Sequence, residues 1–242
     1  MTNFKQPKVI CIGWHKTGTS TLGDALLTLG YKVTGAREDL AYSLIEGDTK
    51  PALAIAEKFE AIQDVPWAAL FKELDQAFPN SKFILTVRDE EAWLNSAKKH
   101  FKDTNYKLHE WLYGVGVIEG NEDIYLERFR RHYKEVEKYF KERSEDIIVM
   151  NFKNGDGWEK LCSFLKLTVP KKDFPHSNKG KHSFTLKDKI VYRLIGLSPI
   201  WLRHLRIEIL IKLGFPDKRD RFNNKQYNSA EQQKREKSSE IS

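Results

Sequence analysis

The sequence predicts an α/β protein in which a parallel sheet of about five strands lies between two layers of helices. Three observations lead to this fold class. Short apolar runs rich in β-branched residues recur along the chain, helical patterns separate them, and a glycine-containing loop follows the first run. Strands that alternate with helices pair in parallel through right-handed crossovers, so ligands are expected at the carboxyl edge of the sheet. A helical extension is expected at the C-terminal end.

The individual elements follow from the same patterns. The five predicted strands cover residues 9–12, 31–34, 61–64, 82–87 and 146–150. The predicted helices cover residues 19–29, 39–45, 52–59, 67–78, 90–101, 123–143 and 157–167. Residues 104–120 are less regular and combine aromatic residues with a Gly-Val-Gly sequence. Two interpretations of this segment stay open: a mobile lid over a nucleotide site, or a connection whose aromatic side chains pack on the core.

The C-terminal part of the chain differs in composition from the rest. Residues 171–242 hold 17 Lys/Arg against 8 Asp/Glu, whereas the preceding residues hold 24 against 26. The chain is therefore divided into an α/β domain (1–183), a basic and apolar helical extension (184–217) and a polar tail that is expected to be disordered (218–242). Within the extension, residues 184–215 are expected either to contact an anionic membrane peripherally or to pack on the domain or on a second subunit.

Composition also limits the function classes. The net charge of +7 comes from the C-terminal part, so it is weak evidence for nucleic-acid binding, and no such partner is expected. The sequence shows neither a signal peptide nor an apolar run long enough to span a membrane. Its two cysteines, Cys11 and Cys162, are expected to be buried and unpaired, as in a reducing compartment. These features predict a cytoplasmic location, and cysteine spacing indicates no metal site.

The segment between the first predicted strand and the first predicted helix is the most informative one. It reads Gly-Trp-His-Lys-Thr-Gly-Thr-Ser-Thr and covers residues 13–21. It combines two glycines with one cation, Lys16, and with four hydroxyl residues: Thr17, Thr19, Ser20 and Thr21. Loop and first-turn N–H groups lack internal partners, and the helix dipole adds positive potential, so the segment predicts an anion-binding site. It is not a Walker A loop, because Lys16 precedes the second glycine, Gly18, instead of following it.

A second anion-binding element follows the fourth predicted strand. Arg88 ends that strand, where its planar guanidinium matches the geometry of a phosphate. Ser96 comes eight residues later, on a helix that Trp93 is expected to brace against the sheet. An isolated arginine at this position would more simply pair with a neighbouring acid. Together with the preceding loop, the pattern predicts a ligand that carries two phosphate-like groups.

The two elements resemble the 5′-phosphosulfate loop and the 3′-phosphate-binding element of the sulfotransferases. The resemblance extends over most of residues 8–184. It is carried further by the sequences Asp64-Val-Pro-Trp, Phe83-Ile-Leu-Thr-Val-Arg-Asp, Asp156-Gly-Trp and Phe174-Pro-His-Ser-Asn. It implies a P-loop NTPase-like fold, 3′-phosphoadenosine 5′-phosphosulfate (PAPS) as the sulfuryl donor, 3′-phosphoadenosine 5′-phosphate (PAP) as the product, and no metal.

The resemblance also implies roles for individual residues. Lys16 is expected to stabilise the bridging oxygen as PAP leaves, and residues 17–21 to hold the phosphosulfate through backbone and hydroxyl donors. His15 is expected either to touch the sulfonate or to face away from it. Lys179 and Lys181 loosely resemble the basic loop that closes over the 3′-phosphate.

The acceptor must lose a proton, and two residues are candidates for the base. Asp64, at a strand end, is the first, and its alternative role is to cap the helix expected near Trp67. His132 in the long helix is the second, and its alternative is a solvated surface histidine.

Three functions stay open on this evidence. The first is a PAPS-dependent sulfotransferase that acts on a hydroxyl or amine of a small-molecule or carbohydrate acceptor. The second is a nucleotide kinase or NTPase on the same scaffold, which the position of Lys16 disfavours. The third is a non-catalytic nucleotide-binding scaffold.

Overall fold

The computed structural model describes residues 6–176, and its centre is a five-stranded sheet in which all strands are parallel. The strands are β1 (Val9–Cys11), β2 (Val33–Thr34), β3 (Ala61–Gln63), β4 (Lys82–Thr86) and β5 (Ile147–Met150). Their order across the sheet is β2-β3-β1-β4-β5. The α/β fold class is confirmed, and each predicted strand is present with one or two residues fewer than expected.

Within the described residues, α-helices lie on both faces of this sheet. They are α1 (Thr19–Thr28), α2 (Ala41–Ile45), α3 (Lys50–Ala56), α4 (Phe71–Ala77), α5 (Glu90–Phe101), α6 (Lys107–Tyr113), α7 (Glu122–Phe140) and α8 (Trp158–Leu165). The predicted helix 67–78 is shorter than expected, because residues 65–70 form turns before α4 begins.

The short helix α6 lies inside the segment that the sequence pattern left irregular. It has only seven residues, too few for a periodic pattern to stand out, and Gly114 ends it in a left-handed conformation. Its first turn is fastened from outside, because the Glu38 carboxylate accepts a hydrogen bond from the Leu108 N–H at 3.1 Å. Leu108, Leu112 and Tyr113 are buried in the core. Of the two interpretations of this segment, the structure therefore matches the connection whose aromatic side chains pack on the core.

Alternate side chains along the strands point to opposite faces of the sheet, which divides the hydrophobic core into two layers. Ile10, Ile62 and Phe83 face the layer that contains α2 to α7. Val9 and Ile84 face the layer that contains α1 and α8. Because successive side chains of a strand point to opposite faces, a buried strand needs apolar residues at every position. The continuous apolar runs of the sequence have this physical origin.

Strand order determines where the functional residues meet. β1 lies between β3 and β4, and the chain leaves its carboxyl end into the loop that begins at Gly13. Asp64 follows β3 directly, and Arg88 follows β4 by two residues. The carboxyl ends of three adjacent parallel strands therefore lie at one edge of the sheet, as the sequence predicted.

Three further predictions concern the cysteines, membrane spans and the C-terminal segments. Cys11 and Cys162 are buried and unpaired, as predicted. None of the helices between residues 6 and 176 has the length and apolar character needed to cross a membrane. The predicted extension (184–217) and tail (218–242) lie outside the described residues.

Candidate active site

Two glycines allow the loop after β1 to approach its neighbours closely. A Cβ on Gly13 would lie 1.7 Å from the hydroxyl oxygen of Thr86 on β4. Gly18 has a φ of +101°, and a Cβ there would lie 2.6 Å from the ring of Phe152. Side chains are not tolerated at such distances, and a left-handed φ favours glycine. Both positions therefore require glycine for the loop to keep this shape.

Lys16 lies between these glycines and also has a left-handed backbone, with φ of +65°. A non-glycine residue in this conformation costs about 1–2 kcal/mol, so neighbouring contacts must hold it. Arg88 Nη1 donates to the carbonyl oxygen of Lys16 at 3.0 Å, and Trp93 Nε1 donates to that of His15 at 2.8 Å. The Lys16 side chain therefore extends from a backbone that two residues of the β4–α5 segment hold in place.

Thr17 shapes the loop and does not offer its hydroxyl to a ligand. Its Oγ1 donates to the carbonyl oxygen of Trp14 at 2.6 Å and lies 2.6 Å from the hydroxyl of Thr86. Its N–H also donates to the Trp14 carbonyl, at 3.3 Å. The side chain is 4% exposed. The expectation that Thr17 contributes donors to the anion is therefore wrong: its donors close the turn.

The N-terminus of α1 follows Gly18 and is open to an anion. Gly18 supplies no capping side chain, and the first turn of α1 contains no acidic residue. First-turn N–H groups have no acceptor within their helix, and the helix dipole places positive potential at this end. Ser20 is partly exposed here, whereas Thr19 and Thr21 are buried. This helix end is suited to a phosphate or sulfate group.

Two cations lie beside this helix end without a partner carboxylate. Among the described residues, no carboxylate lies within ion-pair distance of Lys16 or Arg88. Burial lowers the pKa of Lys16, the charge of the Asp64 carboxylate raises it, and the Arg88 guanidinium lowers it. Positive charge is thus concentrated and partly desolvated, which strengthens its attraction for an anion.

Asp64 is the acidic residue whose charge raises the pKa of Lys16. Its Oδ2 accepts a hydrogen bond from the Thr19 hydroxyl at 2.6 Å, and its Oδ1 accepts one from the Val65 N–H at 2.8 Å. Burial raises the pKa of Asp64, and these two hydrogen bonds oppose that shift. The alternative role is wrong, because the carboxylate does not cap α4, which begins only at Phe71.

Arg88 and Ser96 flank the N-terminal half of α5. The Asp89 carboxylate caps this helix by accepting from the Ala92 N–H at 2.9 Å. Ser96 is partly exposed, two turns into the helix. Trp93 braces α5 against α7 and the loop, and not against the sheet as predicted. Its ring stacks on Phe129 with centroids 4.2 Å apart, and its Nε1 donates to the His15 carbonyl oxygen.

The side chain of His15 faces away from the anion-binding face. It is 2% exposed and is hydrogen-bonded through Nε2 to the hydroxyl of Tyr113, which also accepts from Trp14 Nε1 at 2.7 Å. Its ring stacks on His109 with centroids 5.5 Å apart. Burial holds the pKa of His15 well below its usual value, and the charges of His109 and Lys16 contribute. His15 therefore fastens the loop to α6: the expected contact with the sulfonate is wrong, and the alternative, a side chain that faces away, matches the structure.

His132 is neither a surface residue nor a base that a substrate can reach. It is fully buried in α7, and its Nε2 donates to the carbonyl oxygen of Ile12 at 2.7 Å. Burial lowers the pKa of His132 to about 3. The side chain therefore stays neutral and anchors the end of β1 to α7. Both interpretations of this residue from the sequence are wrong.

Lys179 and Lys181 lie outside the described residues. Residues 6–176 contain no cluster of His, Cys, Asp and Glu that could hold a metal ion.

Comparison with known proteins assigns the chain to a family. A family model described as a sulfotransferase domain matches residues 8–116 and 99–183, which together make up well over half of the chain. The chain belongs to the sulfotransferase family. This sulfotransferase is also similar to Ava biosynthesis cluster protein M of Aspergillus versicolor, with 27% identity over an alignment that covers 70% of this chain and 80% of that protein.

Three residues that hold the loop of this sulfotransferase were not singled out from the sequence. Thr86 closes against Gly13 and Thr17, whereas Trp14 and Tyr113 fix the side chain of His15. The sequence could have pointed to Thr86 and Trp14, since each stands beside a residue of a motif. No sequence pattern pointed to a role of Tyr113 in the loop, because this residue lies about one hundred residues downstream in a segment without a clear pattern.

Proposed function

We propose that this sulfotransferase uses PAPS as its donor and transfers the sulfuryl group to a hydroxyl or amine of a small-molecule acceptor, with carbohydrates as the alternative acceptor class. One observation carries the proposal. Within residues 6–176, Lys16 and Arg88, which have no carboxylate at ion-pair distance, and the uncapped N-terminus of α1 lie with the partly buried Asp64 carboxylate at the carboxyl ends of three adjacent strands. Such a site binds an anionic donor and has a base ready for the acceptor.

The positions of the cations fit a donor with two separate anionic groups. Lys16 and the first-turn N–H groups of α1 would hold the phosphosulfate. Arg88 and Ser96, on the adjacent β4–α5 segment, would hold the 3′-phosphate, because a guanidinium matches phosphate geometry. Lys179 and Lys181 remain proposed contacts to the same phosphate.

The proposed chemistry needs in-line geometry and stabilisation of charge on the leaving oxygen. PAPS supplies a sulfuryl group on a phosphate leaving group. As the bond between sulfur and the bridging oxygen breaks, the Lys16 ammonium neutralises the charge that develops on that oxygen. The acceptor oxygen or nitrogen forms the new bond to sulfur, and its proton passes to Asp64. Burial raises the pKa of Asp64, which makes its carboxylate a stronger base.

The test separates this function from its two alternatives. Calorimetry should show that PAP binds more tightly than AMP, ATP or GTP, because only PAP presents the 3′-phosphate. Preference for ATP or GTP would favour a kinase or NTPase. Transfer of ³⁵S from labelled PAPS should then be followed with a panel of acceptors. Binding of PAP without transfer to any acceptor would favour the non-catalytic scaffold.

Lys16→Ala is the decisive variant for the mechanism. It should reduce transfer by at least about 10²-fold, as expected when a group that stabilises a transition-state charge is removed. Its melting temperature should stay near that of the wild type, because the backbone contacts of this position do not use the side chain. Near-normal transfer by this variant would exclude the proposed role of Lys16.

The relative from Aspergillus versicolor guides the choice of acceptors. Its name assigns that protein to a biosynthesis cluster. Small hydroxylated and amine-bearing molecules therefore come first in the panel, and oligosaccharides second.

A further inference from the structure

We propose that Thr19 is a positioning residue for Asp64: its hydroxyl holds the carboxylate toward the loop, while its backbone serves the anion. This inference rests on the proposed function of the site. It starts from the hydrogen bond of 2.6 Å that the Thr19 hydroxyl donates to Asp64 Oδ2. The sequence placed Thr19 among the donors to the phosphosulfate. The hydroxyl has a single proton to donate, however, and its hydrogen bond goes to this carboxylate.

Two further observations explain why Asp64 needs such a partner. Its backbone is left-handed, with φ of +76°, so the side chain leaves the strand end in a direction that few residues adopt. Its Oδ1 is tied to the N–H of its own neighbour, Val65. Within residues 6–176, the Thr19 hydroxyl is the side-chain donor that links this carboxylate to the donor-binding loop.

Thr19 is itself held firmly. It is the first residue of α1 and is 3% exposed, so its hydroxyl starts from a fixed backbone. Its N–H belongs to the helix end that faces the anion, while its side chain turns to the carboxylate. One residue thereby connects the donor subsite to the base, and the distance between them is fixed before either substrate binds.

The hydroxyl also affects the proton affinity of the base. A donor to the ionised form of a carboxylate lowers its pKa, and Lys16 acts in the same direction, while burial raises it. Among the described residues, Tyr113 also senses this carboxylate, since the charge of Asp64 contributes to its raised pKa. Removing the Thr19 hydroxyl should therefore raise the pKa of Asp64 by about one pH unit, which is a tenfold change in proton affinity.

The test uses Thr19→Val, which removes the donor and keeps the branched shape. The Asp64 carboxyl resonance is followed by ¹³C NMR in protein labelled at aspartate, with Asp64→Asn to assign it. Its titration should move upward by about one unit in Thr19→Val, return in Thr19→Ser, and stay in place in Thr28→Val, a threonine at the far exposed end of α1. The acidic limb of kcat/KM should move by the same amount, while the Kd of PAP changes less than about threefold.

Two results would overturn the proposal. In one, Asp64 titrates identically in the wild type and in Thr19→Val. In the other, the affinity for PAP falls by as much as turnover does, which would mean that the hydroxyl serves the donor. If Thr19→Val does not fold, Thr19→Ala decides the same question by the same titration. A wild-type protein that neither binds PAP nor transfers sulfate would reject the proposed function, and the NMR titration would still decide whether Thr19 holds Asp64.

Discussion

Arg88 and Lys16, the two cations of the candidate site, are joined by a hydrogen bond of 3.0 Å from Arg88 Nη1 to the main-chain carbonyl oxygen of Lys16. Arg88 therefore has a structural task in the protein without its substrates, since it holds a residue with a left-handed backbone. A guanidinium has five N–H donors in a fixed fork, so one bond to the loop leaves further donors for a phosphate. Both tasks can be met by one side chain.

Arg88→Lys separates these two tasks. Lysine keeps the charge but loses the planar fork, so the affinity for PAP should fall by about tenfold or more. Calorimetry should be run with PAP and with AMP, which lacks the 3′-phosphate. A contact to the 3′-phosphate predicts that the affinity for PAP falls and that for AMP changes little. Equal losses for both ligands would mean that Arg88 acts only by holding the loop.

Deprotonation of Lys16 should determine the basic limb of the pH dependence of activity. Burial, together with Arg88, lowers the pKa of Lys16 below its ordinary value of 10.5. Its charge, and with it the stabilisation of the leaving oxygen, is lost as the pH rises through that lowered pKa. The kcat/KM of the wild type should accordingly fall on the basic side at a pH below 10.5.

Lys16→Arg is the matched variant for this pH profile. A guanidinium stays charged over the accessible range, so the basic limb should disappear, even though the different shape lowers kcat by about tenfold. A basic limb at an unchanged pH would assign that titration to another group.

Gly13 is predicted to be essential for folding and not only for activity. Gly13→Ala should lower the free energy of unfolding by about 3 kcal/mol or prevent folding, because the new Cβ overlaps with both the side chain and the backbone of Thr86. Gly114→Ala is the control. Gly114 has a φ of +79° but open space around it, so its substitution should cost only about 1–2 kcal/mol. Urea unfolding of both variants measures the difference, and equal losses would contradict the close approach of β1 and β4.

The sequence alone was sufficient for the parts of the site that depend on local order. Gly13, Lys16 and Arg88 each follow a continuous apolar run, and parallel strands bring their carboxyl ends to one edge. Strand order then makes these residues neighbours. The positions of the backbone elements, and the anion-binding character of the loop, are consequences of chain pattern and could be predicted.

Side-chain direction could not be predicted in the same way. Nothing in the local pattern distinguishes a histidine that faces a ligand from one that faces the core, and both His15 and His132 face the core. Their partners, Tyr113 and the Ile12 carbonyl, lie about one hundred residues away in the sequence. The alternative role of Asp64 as a helix cap is wrong for a related reason: its left-handed backbone turns the carboxylate to Thr19 and away from the helix that follows.

Buried neutral histidines should make the protein sensitive to acid. Burial lowers the pKa of His132 to about 3 and that of His109 to about 4, against an ordinary value of 6.5. Because the unfolded chain binds protons at these histidines first, their stabilising contribution is complete above pH 6.5 and is lost as the pH falls toward 4 and then 3. Between pH 7.5 and 5, each should reduce the free energy of unfolding by about 2 kcal/mol.

His132→Gln isolates the contribution of one of these groups. The glutamine amide can still donate to the Ile12 carbonyl, but it takes up no proton in the unfolded chain. Urea unfolding of the wild type and of His132→Gln at both pH values should show a loss on acidification that is about 2 kcal/mol smaller in the variant. If the two proteins lose the same stability, His132 is not held neutral in the folded state, and its assignment as the anchor between β1 and α7 fails.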